Sequence, residues 1–272
     1  MEISFIERKR NEMNDFDPNT TVGRRGLILK ILDDRGQVNV HELSEQFNVS
    51  EVTIRNDLTQ LEHKNLLIRA RGGAIKTDKV NLEIKLSDKK IQHSKEKEAI
   101  GKRAARLIED GDTIVLDSGT TTKEVANHLL RFKNLTVITN ALNIAAPLAE
   151  MEHINIIMPG GVMRKKSLSL VGSIGQNNLK NFFSDKLFIG ADGIDAQLGI
   201  STPHIEEAAL NRTMLKMAKK VILVADSSKF KKRSLAIIGQ LTDIDVIVTD
   251  RGLAEDDYEK LINAGIEVII AD

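Results

Sequence analysis

Apolar residues in the first quarter of the chain recur every three or four positions in three successive stretches, each bracketed by residues that start or stop helices. Val22, Leu27, Ile28, Ile31 and Leu32 form the first stripe, which stops at Gly36, a residue suited to a C-terminal cap. Asn39 with Glu42 three positions later predicts a capping box for a short second helix ending near Phe47, with Val38 stapled onto Leu43. Asn48 and Val49 turn into Ser50, the predicted N-cap of a third helix whose Ile54, Leu58 and Leu61 share one face. Leu66 to Arg71 then alternates like a strand, and Gly72-Gly73 predicts the turn that folds Ala74-Ile75-Lys76 back as a second strand. Helices two and three only a few residues apart, with the third followed by a hairpin, read as a winged helix-turn-helix.

The pattern then changes twice. Residues 77–97 are charged and lack clear periodicity, which predicts a linker; a solvated connector explains the charge better than a second nucleic-acid contact. Ala99, Ile100, Ala104, Leu107 and Ile108 next form a helical stripe that stops at Gly111. Beyond it come short apolar runs at 113–116, 136–138, 154–158, 186–189, 221–225, 246–248 and 267–270, mostly separated by helical stretches. Runs without strict alternation suit parallel strands covered on both faces, so the fold class is α/β: an N-terminal winged helix-turn-helix and a C-terminal Rossmann-like parallel sheet. A dinucleotide cofactor does not follow, because no strand leads into a glycine fingerprint of the required spacing. The expected organisation is a disordered tail at 1–21, a DNA-binding domain at 22–76, the linker at 77–97 and an effector domain at 98–272.

Opposite the apolar stripe of the third helix, at about 100° per residue, lie Val52, Asn56 and Thr59, flanked by Thr53, Arg55 and Gln60. Arg55 and Asn56 suit guanine and adenine edges, Val52 a thymine methyl, and Arg69, Arg71 and Lys76 the phosphate backbone. With Ser50, these residues (Lys76 apart) form the predicted DNA-binding set. A three-helix partner-binding domain would share the apolar pattern, and charge does not separate the two, since 22–78 holds nine Lys/Arg against eight Asp/Glu. The order of caps, turn, helix and hairpin favours DNA.

In the second half, the polar residues cluster where strands end. Asp117-Ser118-Gly119-Thr120-Thr121-Thr122 follows the first run, Asn140 the second, Gly160-Gly161 the third, Asp192 the fourth and Lys229 the fifth. Open α/β sheets bind ligands at these carboxyl ends. Hydroxyls, a permissive glycine and free amides suit a phosphate, Lys229 suits an anion, and Asp117, Asn140 and Asp192 suit sugar hydroxyls or an amine. Glu206 and Glu207 stand in the first turn of a helix after Thr202-Pro203, where either is placed to act as a base. Each feature has a plainer explanation: Thr121 with Glu124 is itself a capping box, the two glutamates suit a helix dipole, and Lys229 suits a surface. Five polar loops on one edge favour a polar ligand.

Composition narrows the classes. A chain of 272 residues accommodates two domains, and 39 basic against 39 acidic residues give no global field to draw it to nucleic acid or membrane. Cysteine is absent, which excludes disulfides, thiolate metal sites and cysteine nucleophiles and fits the cytoplasm. No metal or cofactor is expected. Met1 to Thr21 has no apolar core of a signal peptide, and no apolar run approaches the ~20 residues that span a bilayer.

The run T-I-R-N-D-L-x-x-L-E, then R-A-R-G-G-A, then L-D-S-G-T-T-T, resembles the DeoR family of bacterial sugar-metabolism repressors, and among them the regulators of amino-sugar use. The resemblance covers about Arg24 to Asp272. It implies a repressor of a sugar or amino-sugar operon, a homodimer or homotetramer bound to double-stranded operator DNA and released by a phosphorylated sugar or amino sugar. It also implies a sensor sharing its fold with ribose-5-phosphate isomerases and glucosamine-6-phosphate deaminases. Many members carry two arginines where this chain has Arg55-Asn56, so base preference there does not transfer. The fold kinship makes a sugar-phosphate isomerase or deaminase with a nucleic-acid-binding appendage the alternative. Against it, the D-G-A-D-E segment of the isomerases corresponds here to Gly190-Ala191-Asp192-Gly193, which keeps one acid. A purely structural nucleoid protein would leave the strand-end loops unexplained.

Overall fold

The computed structural model describes residues 20–63, 66–70, 72–75 and 86–272, and the chain divides into two units, Met1–Leu82 and Glu83–Asp272. Nearly all of the expected tail, together with Arg71, Lys76 and the first half of the expected linker, lies outside the described residues.

In the first unit, α1 (Thr21–Arg35) is capped by the Thr20 side chain, which accepts from the Gly23 amide, and ends at Gly36 with φ 73°. Its buried stripe is Leu27, Ile28 and Leu32, joined by Arg24; Val22 points to solvent, about 140° round the helix from Leu27. Asn39 caps α2 (Val40–Phe47) by accepting from the His41 amide, and Asn48 ends it in the left-handed region. The Ser50 hydroxyl accepts from the Thr53 amide to start α3 (Glu51–His63), whose Ile54, Leu58 and Leu61 are buried as the spacing requires.

The wing has one strand more than the sequence predicts. The segment β1 (Gln37–Asn39) pairs with β3 (Gly73–Ile75), which also pairs with β2 (Ile68–Ala70). A side chain at Gly73 would place its Cβ 2.0 Å from the Val38 carbonyl, so glycine is what lets the third strand close on the hairpin.

The second unit begins with α4 (Leu86–Ile91) and α5 (Ser94–Ala105), so 86–97 is helix and not connector. All seven apolar runs are strands: β4 (Thr113–Leu116), β5 (Leu135–Thr139), β6 (Ile154–Ile157), β9 (Ser184–Ile189), β12 (Ala218–Val224), β14 (Val246–Asp250) and β15 (Glu267–Ala271). They form one sheet in the order β15-β14-β12-β9-β4-β5-β6 with every pairing parallel. Alternate residues feed two cores: Ile114, Leu116 and Phe188 face Ile100, Ala104 and Val125 on one side, while Val115, Leu187 and Ile189 face Leu210 and Met214 on the other. Both faces being dry is why the strands read as continuous apolar runs. The helices α6 (Thr120–Ala126), α7 (Leu142–Leu148), α8 (Ser173–Leu179), α9 (Ile205–Met217) and α10 (Glu255–Asn263) connect them. Two short antiparallel pieces flank the sheet: β7 (Val162–Arg164) with β8 (Ser169–Val171), and β10 (Gly193–Asp195) with β11 (Gly199–Thr202) and β13 (Ala236–Gly239).

The first strand of the sheet, β4, lies inside it. The chain moves outward through β5 and β6, returns to β9 on the other side of β4, then moves outward again. That reversal between β4 and β9 is the topological switch point, where the loops after neighbouring strands part and leave a crevice.

Candidate functional site

On the first unit, the outward face of α3 carries Val52 at 63% exposure, with Arg55, Asn56 and Gln60 also exposed and Thr53 half-buried. Arg55 pairs with Glu51 one turn back at 2.5 Å, an exposed i,i+4 ion pair that costs little to exchange for another anion. Thr59 and Arg69 are placed otherwise than the sequence predicts. The Thr59 hydroxyl donates to the Arg55 carbonyl at 2.8 Å and accepts from Arg69 Nη1 at 3.0 Å, which also donates to that carbonyl at 3.0 Å. Arg69 therefore clamps β2 to α3, helped by its amide donating to Glu62 at 3.0 Å, instead of standing on a free edge.

The face of α3 is aimed by a contact that periodicity overlooks. Asp57, 2% exposed, accepts from Arg24 Nε at 2.6 Å and Arg25 Nε at 2.7 Å, fixing α3 against α1. Arg24 lies on the stripe of Leu27 and Ile28, and Asp57 on that of Ile54 and Leu61, so opposite charges on two apolar stripes were the available signal.

In the second unit, the switch point holds a cavity of about 70 Å³. The loop from Asp117 to Thr122, Asp192 and Lys229 line it, as the sequence predicts. Thr122 is fully buried and its Oγ1 has no hydrogen-bond partner. Asp117, 3% exposed, receives the amides of Ser118 at 2.5 Å and Gly190 at 3.3 Å. Burial, then the charge of Glu207, push its carboxyl up to about 7 against the pull of those amides.

Four predicted residues lie elsewhere. Asn140 is buried and donates to the Leu170 carbonyl at 3.1 Å, tying β8 to the end of β5. Gly161 has φ 126°, and a Cβ there would stand 2.4 Å from the Val171 carbonyl; neighbouring Gly160, with φ 81°, packs beside Ile174. These glycines serve chain packing around β8. Glu206 is exposed, and Glu207 takes the inward place, paired with Arg164 and accepting from Ser169 at 3.0 Å. Glu207 lies on the face of Leu210 and Met214, a spacing that distinguishes it from Glu206. With its amide nitrogen turned inward, Asn211 joins the Glu207 carbonyl at 3.3 Å to Asp117 Oδ1 at 3.2 Å.

Two lysines absent from the expected set complete the cavity. Lys89 of α4 donates to Asp192 Oδ1 at 2.5 Å, and Thr202 Oγ1 approaches the other oxygen at 3.4 Å. Burial raises the Asp192 carboxyl, but Lys89 and Lys229 outweigh it and hold it below the usual carboxylate range. Lys97 of α5, 4% exposed, donates to the carbonyls of Lys89 and Gln92, both at 2.6 Å. Burial, then the neighbouring charge of Lys229, bring its ammonium down to about 8. Below it, Asp226 is 1% exposed and accepts from Ser228, with Oδ2 unpartnered; burial raises its carboxyl, and Lys229, His93 and Lys97 bring it net below the usual range. Three lysines and the carboxylates of Asp117 and Asp192 thus line one cavity with a hydroxyl-rich loop.

Among the described residues, no helix is long and apolar enough to cross a membrane, and no cluster of three or more His, Asp or Glu could hold a metal.

Comparison with known proteins matches both units. Residues 24–80 match the DeoR-like helix-turn-helix domain and residues 92–251 the DeoR C terminal sensor domain. A relative from Escherichia coli O157:H7, named as an aga operon transcriptional repressor, is 40% identical over 92% of this chain and 94% of its own. The HTH-type transcriptional repressor GlcR of Bacillus subtilis (strain 168) is 36% identical over 90% and 94%. The glycerol-3-phosphate regulon repressor of Escherichia coli (strain K12) is 33% identical over 84% and 90%. Among solved structures, ribose 5-phosphate isomerase A from Methanocaldococcus jannaschii is 18% identical over 52% of this chain and 56% of that one, with a TM-score of 0.36.

Proposed function

The chain belongs to the DeoR family of DNA-binding transcriptional repressors and is a regulator, not an enzyme, and from that membership we propose that a phosphorylated sugar or amino sugar entering the switch-point cavity releases it from the operator of a sugar or amino-sugar operon. The observation that carries the ligand assignment is that Lys97 and Lys229 line the same cavity as the unpartnered, buried hydroxyl of Thr122. A phosphate there would satisfy the hydroxyl and neutralise these two ammonium groups, while Asp192 and Asp117 would accept from sugar hydroxyls or an amine. The effector can shift the protein off DNA only by preferring the DNA-incompetent form.

Screening galactosamine 6-phosphate, glucosamine 6-phosphate and fructose 6-phosphate by melting temperature tests the assignment, because a ligand of the native state stabilises it in proportion to the logarithm of its concentration over Kd. Thr122→Val removes the unpartnered hydroxyl at nearly constant volume. Its apo stability should hold or rise, while binding of the active sugar phosphate weakens about 10- to 100-fold, the value of one hydrogen bond to a charged group. Undiminished binding would mean that the loop only starts α6.

At the other end, two chains joined through their second units would set two copies of α3 in major grooves about 34 Å apart or a multiple of it. Arg55 reads a base edge in this arrangement. Arg55→Ala should cost about 1–3 kcal/mol of operator affinity and relax specificity at one base pair, with little change in stability, since the pair with Glu51 is exposed. Gel-shift titration against the operator and single-base variants measures both; unchanged affinity would reassign the reading face.

A further inference from the structure

The cavity is too small for the ligand it is built to hold. About 70 Å³ admits a few waters, whereas sites for small ligands span roughly 300–1,000 Å³. Something lining it must move. The loops after β4, β9 and β12 are continuous with buried strands, but α4 contributes no buried residue. Polar contacts hold it across the cavity: the Leu86 amide donates to the Lys166 carbonyl at 3.0 Å, Lys89 to Asp192, and Lys97 to the Lys89 and Gln92 carbonyls.

We propose that α4 is a built-in competitor of the effector: the Lys89 ammonium occupies, against Asp192, the place of a polar group of the ligand, and ligand entry expels it. This rests on the cavity being the sugar-phosphate site. Asp192 then exchanges an ammonium for a ligand hydroxyl or amine, and Lys97 and Lys229 remain to meet the phosphate. Expelling Lys89 loosens α4, which buries no residue of its own against the sheet. In the chain, α4 is the first described element after the DNA-binding unit, with residues 76–85 between them. Its release therefore alters the attachment of the sensor at the point where the chain arrives from that unit, which gives occupancy a route to operator affinity.

Competition and direct phosphate binding predict opposite signs for Lys89→Met in the full chain. With the internal competitor removed, galactosamine 6-phosphate should bind about tenfold tighter by calorimetry, while Lys89→Arg, which keeps the cation, binds like the unaltered protein. Amides of residues 86–92 should exchange with deuterium faster in Lys89→Met without ligand, and in the unaltered protein when the sugar phosphate is added. Weaker or equal binding by Lys89→Met overturns the competition alone, as does exchange at α4 indifferent to the substitution. Absence of binding to both proteins overturns the sugar-phosphate assignment and the competition with it.

Discussion

Asp57→Ala is expected to cost the DNA-binding unit about 3–5 kcal/mol, the usual consequence of removing one partner from a buried ion pair. Its carboxylate is 2% exposed and holds two arginines, of which Arg24 has a side chain only 7% exposed. Alanine would leave the Arg24 guanidinium in the core with its main counter-charge gone and a void between α1 and α3. A small unit has little stability to spare, total values being about 5–15 kcal/mol. Urea unfolding of the full chain should show an early transition absent from the unaltered protein, with operator binding lost over the same range. Removing both charges as Arg24→Met with Asp57→Leu should recover much of the loss, because the desolvation cost of both ions disappears together. Recovery of folding without recovery of operator affinity would fit the second role of Asp57, which is to aim the face that carries Arg55. A cost below about 1 kcal/mol for alanine would mean that water reaches the pair and that α3 is oriented by its apolar stripe alone.

The large elements were legible because each is decided locally. Strands dry on both faces must be apolar throughout, so all seven runs of the sheet could be read, and Gly36, Asn39 and Ser50 mark helix ends through their own backbone and side-chain chemistry. The remaining short strands escaped. The pairing of β1, β7, β8, β10, β11 and β13 depends on which strand lies alongside, not on composition, and Gly193 or Gly199 at a strand end resembles a turn. In the site, counting strand-end loops located Asp117, Thr122, Asp192 and Lys229. It also gathered Asn140 and Gly161, because a loop at the right edge of a sheet can spend its polar groups on the neighbouring chain. Lys97 was concealed by a run of charges, though it stands three residues before Ile100 on the buried face of α5. The charged stretch at 86–97 looked like connector because α4 is held by polar contacts and shows no apolar stripe to read.

Stability of the sensor unit should pass through a minimum near pH 7–8. Asp117 titrates at about 7 in the folded chain against 3.8 without its surroundings. Between those values the folded protein keeps a proton that the unfolded chain has released, so stability falls as pH rises through the window, by about 4 kcal/mol once the carboxyl is fully ionised. About 2 kcal/mol of that fall lies between pH 5.5 and 7.5. On the alkaline side, Lys97 titrates at about 8 against 10.5. There the unfolded chain holds the proton that the folded one has lost, and stability recovers as pH rises. Asp192 and Asp226, both held below the usual carboxylate range, contribute stability that is lost only in stronger acid and leave this window unaffected. Urea unfolding at a series of pH values, followed on the sensor transition, measures the trough. Asp117→Asn keeps the shape without the charge and should flatten the acid side while leaving the recovery above pH 8. If stability instead stays level from pH 5.5 to 7.5 in the unaltered protein, the carboxylate is solvated after all. The crevice between β4 and β9 would then be open to water before any ligand arrives, contrary to the burial of Asp117.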